Sequence, residues 1–212
     1  MRSDLELLEA WRAGDRIAAG QLFDRHAASI YRFFANKVDR DVEDLVQATF
    51  LGCVAGRDRV RKGGQFRAYL FGVARNVFKT YLRRRGRACG QLSDLTISSV
   101  TDLGLGPSLL ILQRQEHRLL LEALRSVPVE SQLLLELRYW EELSIEELAA
   151  VFGVAGGTIK SRLSRARARL RDKLSELAAL RGPERLLETT STDLHTWAAE
   201  LREQISAIVR PS

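Results

Sequence analysis

Cysteine is scarce in this sequence, and long apolar runs are missing. Only Cys53 and Cys89 are cysteines among 212 residues, too few and too far apart for a zinc cluster or a disulfide framework. A cytoplasmic protein is expected on that ground. No stretch approaches the roughly eighteen consecutive apolar residues of a membrane helix. Met1-Arg2-Ser3-Asp4-Leu5-Glu6 carries acidic residues where a secretory signal would need an apolar core. Neither export nor membrane insertion is expected. β-Branched alternation bounded by turn signals is also missing, and no unit of about twenty to fifty residues repeats, which argues against sheet folds and solenoids. His26, His117 and His195 stand apart, with no nucleophile-base or metal-ligand spacing around them. The expectation is a protein that is not an enzyme and uses no cofactor or metal.

What the sequence does have is helical periodicity along nearly its whole length, so the expected fold class is all-α. A composition of 45% hydrophobic and 28% charged residues suits a soluble chain able to bury a core. The net charge of +6 is unevenly spread: the first fifty residues are mildly acidic, whereas Arg57 to Arg87 and Lys160 to Lys173 are dense in Arg and Lys. One such run can be a solvated helix face. Two, with one inside a helix-turn-helix pattern, point to a polyanion touched at two places.

The helical rhythm breaks from Gly86 to about Leu112, where Ser98-Ser99 and Gly104-Leu105-Gly106-Pro107 enrich the segment in small and turn-forming residues. It reads as a flexible interdomain linker. A second break, Arg181-Gly182-Pro183, is a helix stop. Beyond it Leu194, Trp197, Leu201, Ile205 and Ile208 fall at helical intervals, giving a short amphipathic helix that either docks on the preceding domain or offers a regulatory surface. The expected organisation is two small helical modules, 1–86 and 113–179, joined by a linker at 87–112 and followed by an extension at 180–212.

In the second module, Ser144-Ile145-Glu146-Glu147 is a capping box that starts a helix. Leu148, Ala149 and Phe152 give that helix an apolar face, Gly153 suits a left-handed turn, and Val154 can plug the space between two crossing helices. Thr158 is expected to cap a second helix with Ile159, Leu163, Ala166 and Leu170 along one arc. Its other side carries Ser161, Ser164, Arg165 and Ala168, flanked by Lys160, Arg162, Arg167 and Arg169. Short polar side chains ringed by cations let a helix approach base edges in the major groove. Arg165 is the candidate for reading a guanine, with Lys160, Ser161 and Ser164 beside it; Arg162, Arg167 and Arg169 are candidate phosphate anchors.

In the first module an amphipathic helix spans Leu22 to Phe34, and Asp41 precedes a second from about Val42 to Cys53. On the second, Leu45, Thr49 and Cys53 point one way, while Asp44, Gln47 and Leu51 share the other face with Phe50 and Val54 at its edge. An acid, an amide and large apolar groups displayed together suit a protein partner, although burial on two sides would give the same pattern. A basic loop containing Arg61 and Lys62 then leads into the helix Phe66 to Asn76. There Phe66, Leu70, Val73 and Val77 are expected to form the core stripe, with Arg75, Lys79 and Arg83 on the far side. Cations beside Tyr69 and Phe71 suit a single nucleic-acid strand; core packing is the competing role for those two rings.

Asp44-Leu45-Val46-Gln47-Ala48-Thr49-Phe50, Phe66-Arg67-Ala68-Tyr69-Leu70 through Ala74-Arg75-Asn76, Leu143 through Ala149, and Gly157 through Arg167 together resemble the extracytoplasmic-function sigma factors in order and spacing. The resemblance implies a bacterial RNA polymerase specificity subunit built from region 2-like and region 4-like modules. It implies core-polymerase binding through the clamp helices at Asp44, Gln47, Phe50 and Leu51, and through the flap by the second module. Arg61, Lys62, Arg67, Tyr69, Arg75, Asn76 and Lys79 would hold and melt minus-ten promoter DNA. Thr158, Lys160, Ser161, Arg162, Ser164, Arg165, Arg167 and Arg169 would meet the minus-thirty-five element. An anti-sigma factor is a further expected partner. Tyr69 stands where Trp is common in that family, Gly52 and Gly72 where basic residues often occur, and Gly156 precedes the usual Gly157. A stand-alone helix-turn-helix regulator, dimerising through residues 1 to 85, is the alternative.

Overall fold

A computed structural model of the chain describes residues 2–38, 40–60, 66–88, 99–101, 115–181, 196, 199 and 200. Among these, eight α-helices and one short 3-10 turn form and no strand does, in agreement with the all-α expectation. The helices are α1 (Asp4–Arg12), α2 (Arg16–Ala35), α3 (Val42–Ala55), α4 (Phe66–Ala88), α5 (Gln115–Ser126), α6 (Val129–Tyr139), α7 (Ile145–Phe152) and α8 (Gly156–Arg181).

Helices α1 to α4 make the first module. Sequence periodicity did not single out α1, yet it opens on the same device as α7: Ser3 N donates to Glu6 Oε2 at 2.6 Å and Glu6 N donates to Ser3 Oγ at 3.3 Å. Such a box satisfies two otherwise orphaned helix-end donors. Asp15 starts α2 by accepting from the amides of Ile17 and Ala18. Leu7, Leu8, Trp11, Leu22, Ile30, Phe33 and Phe34 fill the core between these helices and α4. Asp4 ties α1 to α2 through His26 Nε2 at 2.7 Å and through Arg25.

On α4 the buried stripe is Phe66, Leu70, Phe71, Ala74, Phe78 and Leu82, while Val73 and Val77 are only partly buried. The expected stripe is therefore rotated by about one residue. The large rings of Phe71 and Phe78 pack against Phe33 and outweigh the smaller valines in choosing the core face. Helix α4 also runs past Gly86 to Ala88.

Helices α5 to α8 form the second module around α6, whose residues Val129 and Ser131 to Leu137 are all buried, Gln132 and Glu136 included. A helix buried all round needs partners on every side. Helices α5, α7 and α8 supply some, and the first module supplies the rest, with α4 lying against α7. Within the segment expected to be a linker, Val100 is buried, Ser99 bridges to Pro128, and Thr101 N donates to Arg125 O at 3.3 Å. The apolar residues expected to form a C-terminal helix, Leu194, Trp197, Leu201, Ile205 and Ile208, lie outside the described residues, as does His195. Glu200 lies 3.0 Å from the buried His117 of α5, a contact that favours docking on the preceding domain.

Candidate nucleic-acid and protein interfaces

The first surface is the outer face of α3. Leu45, Thr49 and Cys53 point into the core, as the spacing predicts, and Thr49 Oγ1 donates to Leu45 O at 2.8 Å. Burial pushes the Cys53 thiol up to about 12, so this cysteine packs as a small apolar group and is not a nucleophile. Asp44, Gln47 and Leu51 are exposed, Leu51 by 61% and its neighbour Val54 by 46%. Phe50 is half-buried because Phe23 holds it from below, centroids 4.9 Å apart. The result is an open apolar groove lined by Phe23, Tyr31, Val46, Phe50, Leu51 and Val54, with Glu43 and Gln47 at its rim. Away from the groove, two glycines of this segment face α4. A Cβ at Gly52 would meet Val73 Cγ1 at 2.8 Å, and one at Gly56 would collide with the Tyr69 hydroxyl. The missing side chains thus let α3 and α4 approach closely, which is why Gly, and not a basic residue, stands at 52.

The second surface is on α4. Asn76 and Arg83 are exposed, but Arg75 and Lys79 do not sit on a solvated far side as the periodicity suggested, and Arg67 is half-buried as well. They face acids of the second module. Arg75 Nη2 donates to both carboxylate oxygens of Glu130 at 2.8 Å, and Lys79 Nζ lies 3.4 Å from Glu130 Oε1. The Arg75 guanidinium also lies over the Phe152 ring, 4.8 Å from its centroid. Arg67 Nη2 is 3.6 Å from Glu141 Oε2, whose other oxygen takes Arg32. The correction has a physical reason: once Phe71, Ala74 and Phe78 claim the core, Arg75 and Lys79 turn toward α6 and α7. Of the two aromatic candidates, Phe71 is fully buried and Tyr69 half-buried against Gly56. Arg61 and Lys62 lie outside the described residues.

Sequence reasoning missed the groups that bind the modules together. The Lys37 ammonium is fully buried against the Glu136 carboxylate. Asn36 Nδ2 and Gln132 Nε2 donate to Glu136 Oε1 at 2.9 and 2.8 Å, and Arg125 Nε donates to Asn36 O at 3.0 Å. Burial lowers the pKa of Lys37 against the opposing pull of Glu136. Burial likewise raises that of Glu141, opposed by Arg32 and Arg67. A usable signal was present: Gln132 and Glu136 flank the apolar run Leu133-Leu134-Leu135 one turn apart on a helix, and buried polar groups at such spacing demand partners.

The third surface is α8. Ser144 N donates to Glu147 Oε2 at 2.7 Å and Glu147 N to Ser144 Oγ at 3.1 Å, completing the expected capping box of α7. Gly153 adopts φ 67°, ψ 36°, the left-handed turn that glycine enters without steric cost. Helix α8 begins at Gly156, so Thr158 lies inside its first turn and is not its cap; the Ala155 carbonyl accepts from the Thr158 and Ile159 amides instead. The helix start takes in both Gly156 and Gly157, and a Cβ at 156 would meet only Ile145, at 3.4 Å. Ile159, Leu163, Ala166 and Leu170 are buried as expected. Lys160, Ser161, Ser164, Arg165, Arg167 and Arg169 are exposed and Arg162 and Thr158 half-exposed. Arg165 Nε leans on Ser161 O at 3.4 Å, and Arg169 is steadied by Ser131 Oγ at 3.1 Å.

These two modules match two family models: Sigma-70 region 2 over residues 22–88 and Sigma-70 region 4 over residues 117–170. A sigma-70-type transcription initiation factor is the class so defined. The chain is 33% identical over 172 residues to the ECF RNA polymerase sigma factor SigM of Mycobacterium tuberculosis, covering 80% of this chain and 83% of that one. It is 29% identical over 184 residues to the ECF RNA polymerase sigma-E factor of Escherichia coli strain K12, covering 82% and 96%. Among solved structures it is similar to the sigma factor RpoE in complex with the anti-sigma factor NepR from Bartonella quintana, with TM-score 0.51, 30% identity, and 70% and 92% coverage. It is also similar to CnrH in complex with the cytosolic domain of CnrY, with TM-score 0.57, 26% identity, and 84% and 99% coverage. The chain belongs to the extracytoplasmic-function sigma factors, which direct RNA polymerase to promoters. A stand-alone regulator is not favoured, since both sigma-70 regions are matched in the one chain, along most of the length of the sigma-factor relatives. No described helix is long and apolar enough to cross a membrane.

Proposed function

We propose that the chain selects and opens promoters by binding alone, with each of the three surfaces taking one partner. The α3 face docks on the clamp helices of core polymerase through Asp44, Gln47, Phe50 and Leu51. Arg67, Tyr69, Arg75, Asn76 and Lys79 of α4, with Arg61 and Lys62 of the preceding loop, hold the minus-ten strand. Because those groups trap extruded bases, their binding energy offsets unstacking of a few kcal/mol per step, and no bond chemistry is needed. Thr158, Lys160, Ser161, Arg162, Ser164, Arg165, Arg167 and Arg169 of α8 engage the minus-thirty-five duplex, and the second module also contacts the flap. The working division is 1–86 for polymerase and minus-ten, 87–112 for the linker, 113–179 for minus-thirty-five and 180–212 for a helical extension. The protein acts in the cytoplasm without catalysing a reaction, and an anti-sigma factor like those in the similar complexes restrains it.

The observation that carries this reading is the α3 groove, in which Leu51 and Val54 are exposed beside Asp44 and Gln47. Exposed apolar groups rimmed by polar ones mark a protein-binding patch. Pull-down with core polymerase tests it: Asp44→Arg is expected to abolish capture while leaving helix content unchanged. Retained capture would remove the main support. Co-purification from non-inducing cells tests the restraint; an additional small protein is expected, and recovery of only free chain and holoenzyme would count against it.

A further inference from the structure

The α4 cations assigned above to minus-ten DNA are occupied by carboxylates from the second module. Glu130 holds Arg75 in a two-oxygen arrangement and reaches Lys79; Glu141 is shared between Arg67 and Arg32. Arg75 reaches both oxygens through Nη2 alone, a charge-assisted contact that a phosphate oxygen pair could equally accept. The Phe152 face beneath Arg75 likewise sits where a base would stack on a guanidinium. Meanwhile Ser161, Ser164 and Arg165 on α8 and Asp44, Gln47 and Leu51 on α3 stay exposed. Among the described residues, the α4 cations Arg67, Arg75 and Lys79 are the part of the three surfaces that faces carboxylates of the other module, while Asn76 beside them stays exposed.

We propose that Glu130 and Glu141 are an internal stand-in for the promoter strand, so that the free chain masks its minus-ten surface with its own minus-thirty-five module while leaving its other two surfaces open. The inference rests on the α4 assignment made above. The buried Lys37–Glu136 cluster holds the modules in register, while the less buried pairs at Arg67, Arg75 and Lys79 are ionic and open by exchange of one anion for another. A phosphate backbone offers the replacement. Closed chain cannot seize stray single strands; opened chain, seated on polymerase at a promoter, can.

The test uses the full chain carrying Glu130→Gln and Glu141→Gln, with a Glu146→Gln/Glu176→Gln control that changes net charge equally at exposed sites. Two readouts are taken: the distance between probes attached through Ala28→Cys and Ala150→Cys in a Cys89→Ser background, and anisotropy of a fluorescent random-sequence single-stranded DNA of about 20 nucleotides, long enough for a backbone-tracking site. The expected result is a longer distance and strand binding tightened about tenfold in the clasp variant, with neither change in the control. Equal tightening in the control would mean only charge had changed and would overturn the proposal, as would an unchanged distance. A longer distance without tighter binding would refute the α4 assignment itself. Arg75→Ala, added to the opened variant, separates the two readings: it should lose most of the gained affinity, and if it loses none, Arg75 does not hold the strand.

Discussion

Two cationic surfaces of this sigma factor carry the same kind of side chain in opposite circumstances. On α8 the cations surround a strip of short polar residues and face outward. On α4 they are paired with carboxylates from more than fifty residues away in sequence. Local periodicity explains the first case completely, because an amphipathic helix with one apolar stripe leaves its other side to solvent or DNA. It fails for the second, because α4 is sandwiched between its own module and α7. Charge density alone therefore does not identify a ready DNA surface; what the charges face decides whether they are available.

The comparison is broken most forcefully at the buried pair behind it. Glu136→Ala leaves the Lys37 ammonium buried and uncompensated, and thermal unfolding should show a loss of about 3–5 kcal/mol. Lys37→Met/Glu136→Leu, which removes both charges, should recover most of that loss. If the double variant is as unstable as the single one, Lys37–Glu136 is not the pair that matters.

Next in size is Arg165→Ala on the open helix. A base-reading Arg contributes about 1–3 kcal/mol of discrimination, so holoenzyme footprinting should show weaker binding and relaxed preference at one position of the minus-thirty-five element. Uniform weakening across all sequences would make Arg165 a phosphate contact instead. Ser144→Ala, which removes the α7 capping box, should cost about 1 kcal/mol of stability in denaturant melts.

The smallest expected effect is electrostatic and local to the other end of the first module. Burial alone would raise the pKa of Asp4, but hydrogen bonds from His26 and Arg25 outweigh it and hold the group below its ordinary value. A depressed carboxylate contributes stability that is present above its unfolded pKa and lost as pH falls through the folded one. Acid titration should therefore weaken α1 docking below about pH 4, and Asp4→Asn should flatten that part of the curve. An unchanged curve would show that the Asp4–His26–Arg25 contacts add nothing.

Much of the fold was legible locally. The Ser144 capping box, the Gly153 turn and the Ile159-to-Leu170 stripe follow from residue chemistry within a few positions, and the structure reproduces each. The Leu45/Thr49/Cys53 inner face of α3 is equally local. Helix α1 was missed although Ser3 and Glu6 repeat the signal used at Ser144. The α4 stripe was misjudged by one residue because Phe71 and Phe78 meet Phe33, a choice made by tertiary packing. The Glu130 and Glu141 pairings were illegible for the same reason, since nothing in the spacing of α6 states which helix it will meet. Only the buried Gln132–Glu136 spacing hinted that a polar partner must arrive from elsewhere.

The central claim is that the α4 cations exchange internal carboxylates for promoter DNA. It is tested most directly by following the distance between α2 and α7 in the unmodified-charge protein as core polymerase, and then promoter DNA, are added. The account predicts a short distance in the free chain and a long one in the promoter complex, with the shift favoured by salt in the free chain. A distance that stays short when the promoter is open would contradict it.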